Sequence, residues 1–189
     1  MQNLGTTLVA IDEKLYRWIN QTDLPYLHKI LFFLSNEQMV PYFLGALILV
    51  GLFQRNKFVW RYLLLVLVIL AINDAFCYYV LKDQLGRLRP CIHLSPNINL
   101  RVPGCGSQFG FPSNHAANSM AFATFTFLYF RKSWMVVFFI VALLAGYSRV
   151  YIGVHYLGDV IAGFLVGALI AYTGYRIQKK LKFKLIARS

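Results

Sequence analysis

Four long, mostly apolar runs, at about residues 60–81, 115–130, 134–150 and 157–177, constrain this chain more than any other feature. The hydrocarbon core of a bilayer takes about 20 mostly apolar residues as a helix. Inside lipid each backbone N–H and C=O must find a partner within the protein, so such runs are helices. A fifth run, at 39–53, is shorter and needs the preceding residues to complete it. Residues 27–34 are apolar over about two turns. They are expected to form a short helix in the interface or packed on the bundle. The alternative is a sixth span built from residues 25–35. Residues 6–20 place Leu8, Ile11, Leu15, Trp18 and Ile19 at helical spacing, which predicts an amphipathic helix lying flat on the membrane.

The expected fold class is therefore all-α: a polytopic membrane helix bundle of five transmembrane helices, six in the alternative, plus an N-terminal amphipathic helix. One domain is expected over 1–189. Residues 1–36 would form the interfacial helices, 37–178 the bundle with an outward loop at 91–112, and 179–189 a basic cytoplasmic tail.

Composition agrees. Hydrophobic residues make up 58% of the 189 and charged residues 14%, against about a quarter charged in soluble domains. The net charge of +12 fits nucleic acid or an anionic membrane surface. The apolar runs decide for the membrane, so the bilayer is an expected partner and nucleic acid is not. Asp12, Glu13, Lys14 and Arg17 interrupt the N-terminus, so no signal peptide is expected and export relies on the internal spans.

Basic residues set the topology. Arg55, Lys57 and Arg61 lie between the first two spans, Arg131 and Lys132 between the third and fourth. Arg176, Lys179, Lys180, Lys182, Lys184 and Arg188 lie near the C-terminus. With five spans all three groups face one side, the cytoplasm. The loops at 82–114 and 148–157 then face outward. The expected location is the inner membrane of a bacterium, multi-pass, with the outer loops in the periplasm.

Three motifs fall on that outward face: K-x6-R-P from Lys82 to Pro90, P-S-N-H from Pro112 to His115, and S-R-x5-H-x3-D from Ser148 to Asp159. His155 and Asp159 are four apart and share a face if helical. A carboxylate there accepts Nδ1–H and leaves a lone pair on Nε2, which a nucleophile needs. An ordinary polar pair at a helix end would look the same in isolation. His115 opens a span, behind the N-cap residues Ser113 and Asn114. A helix N-terminus suits a phosphate, and His115 could act as general acid. Seven residues separate Lys82 from Arg89, nearly two turns, so both project to one side if the helix continues that far. Pro90 ends it about there. Lys and Arg beside a span also snorkel to the interface, a reading that fits Arg87 and Lys82 as well. Arg149 adds a third cation.

In order and at this spacing, the three motifs resemble the signature of the type-2 phosphatidic acid phosphatase superfamily. The resemblance runs from about residue 60 to the C-terminus. It implies that Lys82, Arg89, Ser113, Asn114 and Arg149 hold a phosphate, that His155 is the nucleophile, His115 the general acid and Asp159 the group that orients His155. Asn114 stands where the family usually has Gly; its backbone N–H can still donate to the phosphate, and its side chain would narrow the pocket or add a contact. The implied reaction is dephosphorylation of a membrane lipid through a phosphohistidine. It needs no metal and no cofactor, and no motif forms an acidic metal cage.

The overall resemblance is to bacterial lipid A 1-phosphatases and undecaprenyl-diphosphate phosphatases, with the former favoured. Phosphatidylglycerophosphate and phosphatidate are further candidate substrates. Transfer of the phosphoryl group to another lipid shares the same first step. A lipid transporter or flippase, or an inactive lipid-binding scaffold, would need the cations but not His155. The soluble haloperoxidases of the superfamily are excluded by the apolar runs.

Outside the motifs, Asp74 sits within a span beside Asn73 and is expected to be a buried structural partner for a polar group. Gly163 and Gly167 form a G-x-x-x-G step for close helix packing. Cys77 is expected to be a packing residue. Cys91 and Cys105 share the outward loop, and a disulfide between them would pin it. The sequence leaves that pairing, and the oligomeric state, open.

Overall fold

The computed structural model describes residues 2–36, 45, 48–49, 51–53 and 56–186. The expected span at 39–53 falls largely outside the described residues. The helices are α1 (Gln2–Gln21), α2 (Pro25–Ser35), α3 (Lys57–Ala75), α4 (Pro90–His93), α5 (Asn114–Phe130), α6 (Val137–Tyr151) and α7 (Leu157–Ile186). No strand occurs among the described residues. Leu88 and Phe109 make one isolated antiparallel bridge.

Among the described residues, three helices are long and apolar enough to cross a membrane: Lys57–Leu85, Ser133–Tyr151 and Leu157–Leu181. The remaining strong run is α5, with 17 residues, about 25 Å at 1.5 Å per residue. Its small residues Ala116, Ala117, Ala121 and Ala123 are fully buried. It is the inner helix, and its neighbours shield it from lipid. Gly163 and Gly167 of α7 lie on it. A Cβ at Gly163 would stand 2.6 Å from the Ser113 carbonyl oxygen, and one at Gly167 would collide with the Ala117 carbonyl. The G-x-x-x-G step is thus the contact between α7 and α5. Large side chains such as Leu64, Ile140 and Leu165 remain exposed on the outer helix faces, as a lipid-facing surface requires.

α3 is capped by Asn56, whose side chain accepts from the N–H of Phe58 at 2.8 Å. Beyond Ala75 the helix continues as a π-helical stretch, Phe76–Lys82, and a last turn, Asp83–Leu85. The wider π turn rotates the succeeding residues out of α register, and Lys82 at its end is buried. The helix stops at Gly86, which takes the left-handed conformation at φ 54°.

α1 differs in detail from its expected role. Leu8, Ile11, Leu15 and Trp18 form its exposed stripe, but Ile19 joins Tyr16 and Asn20 on the opposite, buried face. Asn20 donates to the carbonyls of Asn99 (2.9 Å) and Tyr151 (3.1 Å). Arg101 donates to the Asn20 and Tyr151 carbonyls at 2.6 and 2.7 Å and lies over the Tyr151 ring. These bonds staple α1, the outward loop and the end of α6 together. α2 has 11 residues, about 16 Å long, roughly half of a bilayer core, so by itself it is no sixth span. It packs on α6. α7 runs on to Ile186, so most of the segment expected as a tail at 179–189 is helix.

Cys91 and Cys105 are joined as a disulfide with Cα atoms 5.9 Å apart. Cys77 is free and buried. Asp74 accepts from Asn114 (2.8 Å) and Asn118 (3.1 Å). It is a polar partner between α3 and α5, as expected, but it lies on the exposed side of the helix rather than inside the bundle.

Candidate active site

His155 lies in the loop just before α7, not on the helix. His155 and Asp159 therefore meet across a helix start rather than along one helix face. Tyr156 is the N-cap of α7 and Asp159 is its third residue. The Asp159 carboxylate folds back to accept the Tyr156 N–H at 3.0 Å, half of a capping box. That places Oδ2 3.4 Å from Nδ1 of His155. Facing a carboxylate, Nδ1 carries the ring hydrogen and Nε2 the lone pair. Arg89 Nη1 stands 3.3 Å from that Nε2.

Burial lowers the pKa of His155 well below its usual value, and the cationic fields of Arg89, Arg149, Lys82 and His115 lower it further. Residues from all three motifs thus converge on one imidazole. Lys82, Arg89, Ser113, Arg149, His155 and Asp159 are all buried, none more than 6% exposed. Among the described residues, no group of three or more His, Cys, Asp or Glu could hold a metal. Lys82, Arg89 and Arg149 bring positive charge into the site.

The expected single helix from Lys82 to Arg89 does not exist. The chain turns at Gly86, and Arg89 returns in extended conformation (φ −69°, ψ 150°). It is braced by the 107–110 segment: its N–H donates to Gln108 O, its Nε to Phe109 O (3.3 Å) and its Nη2 to Ser107 Oγ (3.1 Å). Gly110 closes this brace. A Cβ there would stand 2.9 Å from Asp159 Oδ2 and 3.5 Å from His155 Nδ1, so only Gly lets the backbone pass.

Ser113 is the N-cap of α5 but makes no side-chain capping bond. Its Oγ is buried without a hydrogen-bond partner. Its N–H donates to the Asp159 carbonyl at 3.0 Å, tying the second motif to the third. Asn114 departs from expectation. Its Nδ2 donates to Asp74 Oδ1 at 2.8 Å, which turns the amide toward α3, while its Oδ1 is buried without a hydrogen-bond partner. What Asn114 still offers is its position in the first turn of α5.

His115 and Arg149 engage the end of α2. His115 Nε2 bonds the Leu34 carbonyl at 2.7 Å. Arg149 Nη1 donates to the carbonyl (2.6 Å) and hydroxyl (3.0 Å) of Ser35. A helix C-terminus carries partial negative charge, and here its oxygens sit on two of the groups expected to meet a phosphate.

Sequence reasoning missed Arg87, Asp12, Leu34, Ser35 and the 107–110 brace. Arg87 is not snorkelling: Nη1 donates to Asp159 Oδ1 at 2.8 Å and Nη2 to Asp12 Oδ2 at 2.7 Å. Its place inside the first motif was the one available signal. For Asp12 there was none.

The family model described as "PAP2 superfamily" matches residues 58–183, well over half of the chain. The chain belongs to the PAP2 superfamily. It is 38% identical over 138 residues to a lipid A 4'-phosphatase of Bacteroides thetaiotaomicron, covering 69% of this chain and 61% of that protein. It is 28% identical over 175 residues to an undecaprenyl-diphosphatase of Sulfolobus acidocaldarius, covering 92% and 82%. The fold matches the crystal structure of a transmembrane PAP2-type phosphatidylglycerolphosphate phosphatase from Bacillus subtilis. That match has a TM-score of 0.72 at 21% identity and covers 92% of this chain and 87% of that one. The expected all-α membrane bundle of this family is thus the observed one. Its membrane-spanning helices make the chain a multi-pass membrane protein.

Proposed function

We propose that this PAP2 protein is a phosphatase that removes a phosphate group from a membrane lipid through a phosphohistidine on His155. The observation that carries this reading is the position of the His155 imidazole. Nδ1 faces a buried carboxylate, and Nε2 faces a cluster of cations. A base with its lone pair aimed among phosphate-binding groups is arranged for in-line attack on phosphorus.

In the first step Nε2 bonds to phosphorus and the bond from phosphorus to the lipid oxygen breaks. His115 gives its proton to that oxygen. In the second step water attacks, His115 takes the water proton, and the phosphorus–nitrogen bond breaks to return the lone pair to His155. Lys82, Arg89 and Arg149 stabilise charge on the transferring oxygens. The unpaired Ser113 hydroxyl is a ready donor to one of them. A buried polar group left unsatisfied costs about 1–3 kcal/mol, and such a cost is tolerated where a ligand repays it. The oxygens of Leu34 and Ser35 would yield His115 and Arg149 to the substrate.

The site is read as facing the periplasm of a bacterial inner membrane, since the basic residues at the other end of the bundle mark the cytoplasmic side. The chain is read as one domain. Lipid A is the favoured substrate, on the general resemblance and on the name of the Bacteroides relative. The resemblance points to the 1-phosphate and that relative to the 4'-phosphate. Undecaprenyl diphosphate is the second reading, favoured by a relative aligned over nearly the whole chain.

The test is phosphate release by the purified protein in detergent from lipid A, undecaprenyl diphosphate, phosphatidylglycerophosphate and phosphatidate. His155→Ala is assayed alongside. Release by the wild type that vanishes in the folded variant is expected, and the product of lipid A names the position cut. Release that persists in His155→Ala would refute the nucleophile. No release from any lipid by folded protein would favour a transporter or scaffold. Vanadate, which mimics five-coordinate phosphorus, should inhibit, and excess chelator should not.

A further inference from the structure

The Asp159 carboxylate is fully buried, and each of its oxygens has a separate task. Oδ2 accepts the Tyr156 N–H and faces His155. Oδ1 accepts from Arg87. The same guanidinium bridges to Asp12 of α1 and lies 4.3 Å from the centre of the Tyr156 ring. Asp12 uses its other oxygen to accept the Gly158 N–H at 2.8 Å, at the start of α7. One arginine is therefore held between two carboxylates, with an aromatic ring on its face.

We propose that Arg87 and Asp12 are positioning residues of this active site. Arg87 fixes the rotation of the Asp159 carboxylate so that Oδ2 meets Nδ1 of His155, and Asp12 fixes Arg87. This rests on the proposed role of His155.

A carboxylate rotates about its last bond over a broad range. The Tyr156 N–H alone holds one oxygen, while a second bond on the other oxygen sets the plane. A buried carboxylate without a paired cation is also costly. Arg87 offsets part of the negative charge of Asp159 and Asp12, with which it pairs at 2.8 and 2.7 Å. Bidentate guanidinium geometry suits this bridging, and a lysine point charge does not. Through Asp12, the amphipathic helix α1 becomes part of the catalytic unit rather than only a membrane anchor.

The experiment uses the full chain in detergent. It compares wild type, Arg87→Met, Arg87→Lys, Asp12→Asn, and Arg87→Met in an Asp159→Asn background. Thermal unfolding confirms that each variant is folded. The lipid cleaved best by the wild type is the substrate. Arg87→Met should lower kcat by ~10–100-fold, as loss of an orienting outer partner commonly does. KM should be unchanged, Asp12→Asn should lose less, and Arg87→Lys should recover part of the loss. In the Asp159→Asn background, Arg87→Met should cost nothing further. Nitrogen-15 NMR of histidine-labelled protein provides a readout independent of turnover. His155 should be the Nδ1–H tautomer in wild type and a mixture of tautomers in Arg87→Met. Wild-type kcat in folded Arg87→Met and Asp12→Asn, or an unchanged tautomer, would overturn the proposal. So would a full Arg87→Met loss in the Asp159→Asn background. If the wild type cleaves no lipid, the functional reading fails while the tautomer still decides the positioning role.

Discussion

Arg89 Nη1 and His155 Nε2 stand 3.3 Å apart, with the guanidinium also anchored to Phe109 O and Ser107 Oγ. A guanidinium can only donate, so Nε2 is the accepting, unprotonated nitrogen. Lysine at this position keeps the charge but loses the fork that fixes it. Arg89→Lys should lower kcat/KM by ~10²-fold or more, the scale of losing one donor to transition-state charge. Wild-type kcat/KM in Arg89→Lys would show that the guanidinium geometry is not used.

Burial first, and the cations around it second, hold the pKa of His155 below 6.5 in the native protein. The unfolded chain takes up this proton near pH 6.5, and the native protein does so only at lower pH. This contribution to stability is therefore complete above about pH 6.5 and is lost as pH falls from there toward the native pKa. The Tm of wild type should drop between about pH 7.5 and 5 by more than that of His155→Gln. Equal drops would mean that His155 titrates normally.

The contact of α7 with α5 passes through Gly163, where a Cβ would stand 2.6 Å from the Ser113 carbonyl oxygen and 3.1 Å from Ala116 Cβ. Backbone cannot step aside as a side chain can. Gly163→Ala should cost about 1–3 kcal/mol through overpacking. It should also lower phosphate release, because the Ser113 N–H holds the Asp159 carbonyl on the same seam. Thermal unfolding and turnover check both. Unchanged Tm would show that the helices have room there.

Cys91 and Cys105 are 14 apart in sequence and joined, and the brace for Arg89 comes directly after, at 107–110. Denatured, unreduced protein should show one reactive thiol of the three cysteines. Cys91→Ser with Cys105→Ser should lose about 3 kcal/mol, the chain-entropy scale for a loop of this length, and lose turnover as Arg89 loosens. Three free thiols in the unreduced protein would refute the bond.

Much of the fold was legible because helix formation in an apolar solvent is a local matter. The runs at 60–81, 134–150 and 157–177 became helices, and Gly163 and Gly167 packed as their spacing implied. The site was legible as a set of residues but not as an arrangement. Lys82 and Arg89 meet through a turn at Gly86, not along one helix. His155 and Asp159 meet through a helix cap. Asn114 turned to Asp74, because an amide beside a carboxylate in an apolar setting bonds it. Arg87 reads as a snorkelling cation until its partners are known.

By itself the sequence determined the membrane-helical class and named the motif residues that meet around His155. Each of these depends on composition, periodicity or short spacing. Only the tertiary structure decided that α2 ends on His115 and Arg149, and that Asp12 reaches Asp159 through Arg87. The two Arg87 bonds close sequence gaps of 75 and 72 residues. A charged pair formed across such a distance leaves no period in the chain, since its geometry is set by how the helices pack rather than by any neighbouring residue.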